Sequence, residues 1–392
     1  MPDDLKNYLL ESETVHIGGL TQNTEKLEID VDRLYLSPSS VERYGLCPFS
    51  FFGKYMLSLR ETKKAKFESS ETGTFIHKLL EDFMLEYSTN IREVTDEMIE
   101  KSVKKNAEDF AKIFVPDKEM TKRFEYRLKR LSLMATEIIK NLRDEFINGD
   151  FEPCEFERRI TAQIDFDGDS TKLSGIIDRV DVLEHEGKRL VRIVDYKTGR
   201  KELRLDDVLD GLSLQMLLYL FSYCKETKSY PCGAMYMYAS SPDEQDDKSG
   251  NFEEKLKKSL KRSGIFIDEI DILMKMEHGG NGTYLPVKIK KDGTLYKNAP
   301  VLSEKGFTEL DKYICEYIRK TESSIRSGDL AVRPVVNNSH NACKYCKLRP
   351  LCRMTDDMAI SRPRLDEKMI KWADEIRKET SDGMDDSSNQ SN

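Results

Sequence analysis

The residues with the most chemistry to offer are an aspartate in the stretch GIIDRVD, Asp178, and an aspartate and lysine one residue apart in VDYKTG, Asp195 and Lys197. On a strand, residues i and i+2 point to the same side, so Asp195 and Lys197 share a face. An adjacent antiparallel strand brings Asp178 beside them. Two carboxylates and a lysine in one cleft suit hydrolysis of a phosphodiester with a divalent metal. The carboxylates hold Mg²⁺ or Mn²⁺, the metal polarises the phosphate and acidifies a bound water, and the ammonium orients the nucleophile or offsets developing charge. Asp-x-Lys is also a common ion pair on exposed strand faces, so the neighbours decide. Asp178 stands among Ile176, Ile177 and Val180, and Asp195 closes the apolar run LVRIV. An unpaired carboxylate is costly in such surroundings, and a shared cation accounts for both interruptions.

A second set lies in HNACKYCKLRPLCR, where Cys343, Cys346 and Cys352 follow one another at spacings x2 and x5. A four-coordinate metal or cluster needs one more ligand than this triplet supplies. The spacing leaves zinc and an iron–sulfur cluster both open. Three weaker candidates complete the inventory. His77, on the helix GTFIHKLLEDF, reads by itself as a helix-surface or core residue. Gln215 and Tyr219 in LSLQMLLYLF are four apart and share a helical face, a pair that serves structure or positions a phosphate over a metal cleft. Glu157 in CEFERR can pair with Arg158 or Arg159, or turn toward the carboxylates.

These groups must be held by a large α/β unit with helical additions, for which 392 residues suffice. Residues 1–34 are a polar lead-in. A short buried helix is expected within 36–59, an amphipathic helix over 71–88 with Phe75, Leu79, Phe83 and Tyr87 on one face, and two helices over 96–147 broken near Pro116. CEFERRITAQIDF, TKLSGIIDRVDVLEHEG and KRLVRIVDYKTGR read as three successive strands. A helix over 206–227, a strand over 232–240, a hairpin around KKDG and a long helix over 306–329 follow. A C-terminal helix is expected within 356–380, about 365–378, before a disordered tail at 381–392. Cys154, Cys224, Cys232 and Cys315 sit in apolar contexts and read as core thiols.

Composition narrows the function classes. No apolar run approaches membrane-spanning length, and the N-terminus lacks the pattern of a secretory signal, so no membrane span is expected. Eight cysteines without a secretory signal favour reduced thiols or metal ligands, and the cytoplasm. A net charge of −8 argues against a passive, charge-driven nucleic-acid binder, although KLKKSLKRS (255–263) and PVKIKKDG (286–293) are locally basic.

Taken in order, His77 on its helix, Asp178 in GIIDRVD, Asp195 and Lys197 in DYKTG, and Gln215 and Tyr219 in LQMLLY resemble the RecB-type branch of the PD-(D/E)-x-K nuclease superfamily. With LSPSSVERYGLCPFSFFGKYMLSLRE, TGTFIHKLLE and CKYCKLRPLC added, the chain is similar over most of its length to the AddB-type nuclease domains. The resemblance implies a restriction-endonuclease-like core, a mixed sheet flanked by helices, in a domain spanning 35–355. It implies that His77, Asp178, Asp195 and the Tyr196 carbonyl ligate Mg²⁺ or Mn²⁺ and that Lys197 is the catalytic lysine. Gln215 and Tyr219 would contact DNA or complete the site. Cys47, Cys343, Cys346 and Cys352 match the ligands of a [4Fe–4S] cluster, which places zinc second.

A metal joining Cys47 to Cys343 would close a loop of roughly 300 residues around every catalytic candidate. That is a staple worth roughly a few kcal/mol. The implied activity is metal-dependent DNA cleavage, of the 5′-terminated single strand, in double-strand-break repair and recombination beside an AddA-like helicase–nuclease subunit. Members of that family are longer, with a helicase-like region ahead of the nuclease. The Gly-Lys pairs at Gly53 and Gly187 lack the rest of a Walker A loop. The chain is therefore expected to be a fragment or a free-standing relative, with unwinding supplied from elsewhere. A stand-alone exonuclease of the CRISPR-associated type and a non-catalytic DNA-binding scaffold are the alternatives.

Overall fold

The computed structural model describes residues 36–59, 69–114, 121–166, 169–199, 201–238, 260, 262–296, 298–335 and 341–352. The lead-in at 1–34, most of the basic run at 255–263, the helix expected at 365–378 and the tail lie outside the described residues.

The first buried segment is two helices rather than one. α1 (Pro38–Leu46) opens with a reciprocal cap in which the Ser40 amide donates to Ser37 Oγ and the Ser37 amide to Ser40 Oγ. It stops at Cys47 because Pro48 disfavours helical backbone in the residue before it, and Cys47 is extended (φ −168°). Pro48 then starts α2 (Pro48–Phe51), which runs into a π-helical turn at Phe52–Met56. In α3 (Ser69–Tyr87) Phe75, Leu79 and Phe83 are buried as the periodicity requires, beside Ile76, Leu80 and Met84. α4 (Asp96–Phe114) and α5 (Lys122–Ile147) are the two helices on either side of Pro116.

Six strands form one sheet in sequence order: β1 (Glu152–Phe166), β2 (Asp169–His185), β3 (Lys188–Lys197), β4 (Tyr230–Tyr238), β5 (Ser263–Ile267) and β6 (Val301–Leu302). β1–β2, β2–β3 and β4–β5 pair antiparallel, β3–β4 and β5–β6 parallel. The β2–β3 turn is Glu186-Gly187, both at positive φ (49° and 74°), the two-residue form that suits the twist of the strands. β3 is buried from Leu190 to Tyr196, as expected of a central strand covered on both faces.

The crossover from β3 to β4 is broken where one continuous helix was expected. α6 (Leu205–Leu209) ends, and α7 (Leu214–Thr227) begins after Gly211 at φ 79° and Ser213 at φ 56°. A Cβ on Gly211 would stand 1.9 Å from the Tyr317 hydroxyl, so both backbone and space demand glycine there. α7 packs across β1, β3 and β4. α8 (Ile270–Met276), the long amphipathic α9 (Glu304–Arg326) and α10 (Arg349–Cys352) complete the described helices. The expected hairpin at KKDG is reduced to one bridge, Ile289 to Leu295, around Gly293 at φ 83°. No described helix is long and apolar enough to cross a membrane.

On the β2–β3 face toward α5, Glu145, Arg179, Asp181, Arg192 and Arg262 are all at most 2 % exposed. Arg179 Nε lies 2.8 Å from Asp181 Oδ1, Arg192 Nε 2.9 Å from Asp181 Oδ2, and Arg192 and Arg262 reach the two Glu145 oxygens at 2.8 and 2.6 Å. Of the four thiols expected in the core, Cys224 and Cys232 are buried and Cys315 is half-buried. Cys154 is exposed: it sits at a register shift near the start of β1, a strand paired on one side only, with Arg189 Nη2 3.3 Å from its sulfur.

Candidate active site

Strand register assembles the site. Arg179 and Val194 are the last registered β2–β3 pair, so Asp178, one residue further, stands opposite Asp195. Glu157 falls between the β1–β2 pairs Phe156–Arg179 and Arg158–Ile177, and so opposite Asp178. Because side chains alternate, Asp178, Asp195 and Lys197 face one side of the sheet and Arg179, Arg192 and Tyr196 the other.

Asp178 Oδ2 accepts from the Tyr196 amide at 2.7 Å and lies 3.4 Å from His77 Nδ1 on α3. Its side chain is 11 % exposed. Burial, and then the neighbouring Asp195 charge, push its carboxyl up to about 8, against the Tyr196 amide and Lys197. Burial holds the His77 imidazole below its usual range despite Asp195, so its lone pair is free to ligate. Its ring meets the Tyr196 ring edge-on, with centroids 5.9 Å apart. Asp195, 5 % exposed, forms an ion pair with Lys197, whose Nζ lies 5.6 Å above the Tyr236 ring.

The expected ligands His77 and Asp178 are thus together, but their nearest third partner is Glu157. One ligand atom from each of His77, Glu157 and Asp178 lies within 4.8 Å of the other two. Glu157 has φ 45°, a conformation rare for a non-glycine residue and rarer inside a strand, and burial raises its carboxyl. It lines an open cleft with His77, Gly73, Thr74, Glu81 and Thr198. These carboxylates suit a hard cation: oxygen donors and one imidazole converge, and positive charge is what Asp178 lacks. Tyr196 contributes its amide, while its hydroxyl lies on the back face 3.4 Å from Arg179 Nη1.

Tyr219 also reaches the carboxylate side of the sheet. It is 4 % exposed, and its hydroxyl lies over β2 where a Cβ on Gly175 would be only 1.5 Å away, so the glycine of GIID makes room for it. Burial, followed by Asp195, Glu42 and Asp178, pushes that hydroxyl up to about 12. Gln215, half-buried one turn earlier, donates its backbone N–H to Glu42 Oε1 of α1 at 3.2 Å. Glu42 and the nearby Lys201 carried no sequence signal, since neither belongs to a spaced motif. Glu157 carried only a weak one, because its backbone conformation is invisible in composition. Ile176, expected to crowd Asp178, is 42 % exposed, whereas Ile177 and Val180 are buried.

The cysteines meet elsewhere. Cys47, buried at the end of α1, lines one small cavity with Cys343, Cys346, Cys352, Phe49 and Pro334. Burial raises the Cys47 and Cys343 thiols, and Cys343 also feels the charges of the other three. Thiols gathered this way favour a positive partner, so the donor set fits a thiophilic metal or cluster. Among the described residues, however, only the His77 group has three ligand atoms within 4.8 Å of one another.

A mixed sheet with carboxylates and a lysine at the meeting of β2 and β3 defines a nuclease class, and residues 35–353 match the model of the PD-(D/E)XK nuclease superfamily, to which the chain belongs. Its curated relatives are more specific. The B-type subunit of the ATP-dependent helicase/deoxyribonuclease of Caldanaerobacter subterraneus subsp. tengcongensis is 30 % identical over 380 residues, covering 90 % of this chain and 32 % of that protein. The same-named proteins of Thermoanaerobacter sp. (strain X514) and Clostridioides difficile are 30 % and 27 % identical, over 82 % and 89 % of this chain and 30 % and 34 % of theirs. The chain spans about a third of the length of these relatives.

Proposed function

We propose that residues 35–355 form the DNA-cleaving domain of a helicase–nuclease of the AddB type, hydrolysing phosphodiester bonds with Mg²⁺ or Mn²⁺ in double-strand-break repair. One observation carries this reading: half-buried Asp178, pushed up to about 8, stands opposite the Asp195–Lys197 pair and within ligand reach of His77 and Glu157. Asp178, Asp195, His77 and Glu157 would hold the ion, which when bound polarises the phosphate and acidifies a water. Lys197 places positive charge beside the attacked phosphate, and Asp195 keeps that ammonium aimed. Gln215 and Tyr219 would guide the strand across the cleft from α7. The names of the relatives support a DNA substrate and a helicase–nuclease partner subunit.

The test is a 5′- or 3′-labelled single-stranded oligonucleotide incubated with the purified chain and Mg²⁺, with EDTA as control. Metal-dependent shortening is expected, with the labels reporting polarity. Binding without cleavage would leave a scaffold. Co-purification with a large helicase subunit tests the partner.

At the cysteine cavity the proposal is a [4Fe–4S] cluster held by Cys47, Cys343, Cys346 and Cys352 as a structural staple. Its support is the shared cavity together with the family resemblance. Protein purified without oxygen should show broad visible absorbance and iron. Stoichiometric zinc without iron would replace that assignment.

A further inference from the structure

The first turn of α7 is capped from outside its own chain segment. A helix begins with amides that have no intrahelical partner. Here the residue at the capping position, Ser213, is left-handed and makes no side-chain cap. The acceptor comes instead from α1, where Glu42 Oε1 takes the Gln215 amide at 3.2 Å. The other oxygen, Oε2, lies 3.6 Å from Lys201 Nζ, and the Glu42 side chain is 15 % exposed. Lys201 in turn lies 5.3 Å above the face of Tyr236, the ring that also receives Lys197 and that registers opposite Asp195 on β4.

α1 cannot easily move away. The Tyr44 hydroxyl donates to Asp329 O at 2.7 Å, Leu46 O accepts from Val335 N at 2.8 Å, and a Cβ on Gly45 would stand 2.8 Å from the Tyr317 hydroxyl. Cys47 follows at the end of the same helix, so one short element joins the cysteine cavity to the nuclease cleft.

We propose that Glu42 is a positioning residue of the cleft: by capping α7 and holding Lys201 it sets the start of that helix, and with it Tyr219 beside the carboxylates, and keeps the second lysine off Asp195. A carboxylate at a helix N-terminus also complements the helix dipole, so the same group serves fold and charge placement. Tyr219 lies one turn beyond Gln215 on the same face, so a shift at the start of the helix is carried to it along the helix axis. The proposal rests on the nuclease reading of the cleft.

Glu42→Ala and Glu42→Gln in the full chain separate the roles, because glutamine still offers an oxygen to the Gln215 amide. Two readouts are needed: amide hydrogen exchange at 214–217, and KM and kcat for a labelled single-stranded oligonucleotide with Mg²⁺. Expected for Glu42→Ala is exchange at Gln215 faster by about fivefold or more, the size of a lost cap, with a comparable rise in KM and a smaller change in kcat. Glu42→Gln should recover most of the exchange protection but only part of KM, because the neutral side chain keeps the cap and loses the ion pair to Lys201. Unchanged exchange in Glu42→Ala overturns the proposal, as does faster exchange with KM and kcat per folded molecule unaltered. A wild-type chain that neither binds nor cuts the oligonucleotide overturns the nuclease reading and this inference with it. A cutting wild type with an unaffected Glu42→Ala overturns this inference alone.

Discussion

Neighbouring residues on the same two strands meet opposite electrostatic surroundings. On the back of β2 and β3, burial alone would raise the Glu145 carboxyl, yet Arg262, Arg192 and Arg179 outweigh it and hold it at about 2. On the cleft side, one residue from Arg179, burial and Asp195 push Asp178 up to about 8. Glu145 is buried and the Asp178 side chain only 11 % exposed; the larger difference is the supply of positive charge. Three guanidiniums surround Glu145 and Asp181, whereas Lys197 is engaged by Asp195 and Asp178 is left with an amide and a neutral imidazole. A buried acid is therefore no mark of function. An acid short of cations in a cleft is a candidate ligand, because a bound cation would supply the charge that the fold withholds.

The largest expected effect breaks the cleft side. Asp195→Ala should reduce oligonucleotide cleavage by about 10³-fold or more, since it removes a candidate ligand and the partner of Lys197. In EDTA its melting temperature should be unchanged or higher, because Asp178 loses a like-charged neighbour. Added Mg²⁺ or Mn²⁺ should raise the melting temperature of the wild type and not of the variant. Retained cleavage would show that the cleft is not the site.

The next effect breaks the back face. Glu145→Gln keeps shape but leaves Arg262 and Arg192 without their carboxylate, which should cost about 3–5 kcal/mol in urea unfolding. The pH dependence follows from the sign of the shift. The folded value of Glu145, about 2, lies below the ordinary 4.5, so its stabilisation is complete above 4.5 and is lost as pH falls toward 2. Stability of Glu145→Gln should fall less steeply over that window. Equal acid sensitivity in both proteins would mean the network is not what acid breaks.

Much of this contrast was legible in sequence, and unevenly. Alternation in GIIDRVD and VDYKTG placed Asp178, Asp195 and Lys197 on one face, because period two is a local property of a strand. The apolar spacing of α3 announced its helix for the same reason, whereas the break at Pro48 that makes two helices of the first buried segment was missed. The long-range pairings were not legible. Arg179, Asp181 and Arg192 looked like ordinary strand charges, and nothing local says that Glu145 and Arg262 close around them from positions far away in the chain. Glu42 was hidden likewise, since capping from another helix leaves no spacing to read. The break before α7 depended on Tyr317 filling the space beside Gly211, which helical periodicity cannot report.

Tyr196 belongs to both regions and gives the finest test. Its amide donates to Asp178 at 2.7 Å, while its hydroxyl, 3.4 Å from Arg179 Nη1, touches the back network. Tyr196→Phe leaves the amide and ring in place and deletes the hydroxyl alone. At that distance the lost contact is weak, and a stability change of about 1 kcal/mol or less is expected from urea unfolding. Cleavage should stay within about threefold, because β3 presents the amide to Asp178 whether or not the hydroxyl is bound. The smallness of the effect is the point. If the two faces are electrostatically separate, with one saturated by arginine and the other awaiting a cation, a back-face hydroxyl has no route to the cleft chemistry except through backbone position. A Tyr196→Phe protein that melts like wild type but cuts tenfold more slowly would show that the arginine network steers the carboxylates, and that the two faces of the sheet work as one device.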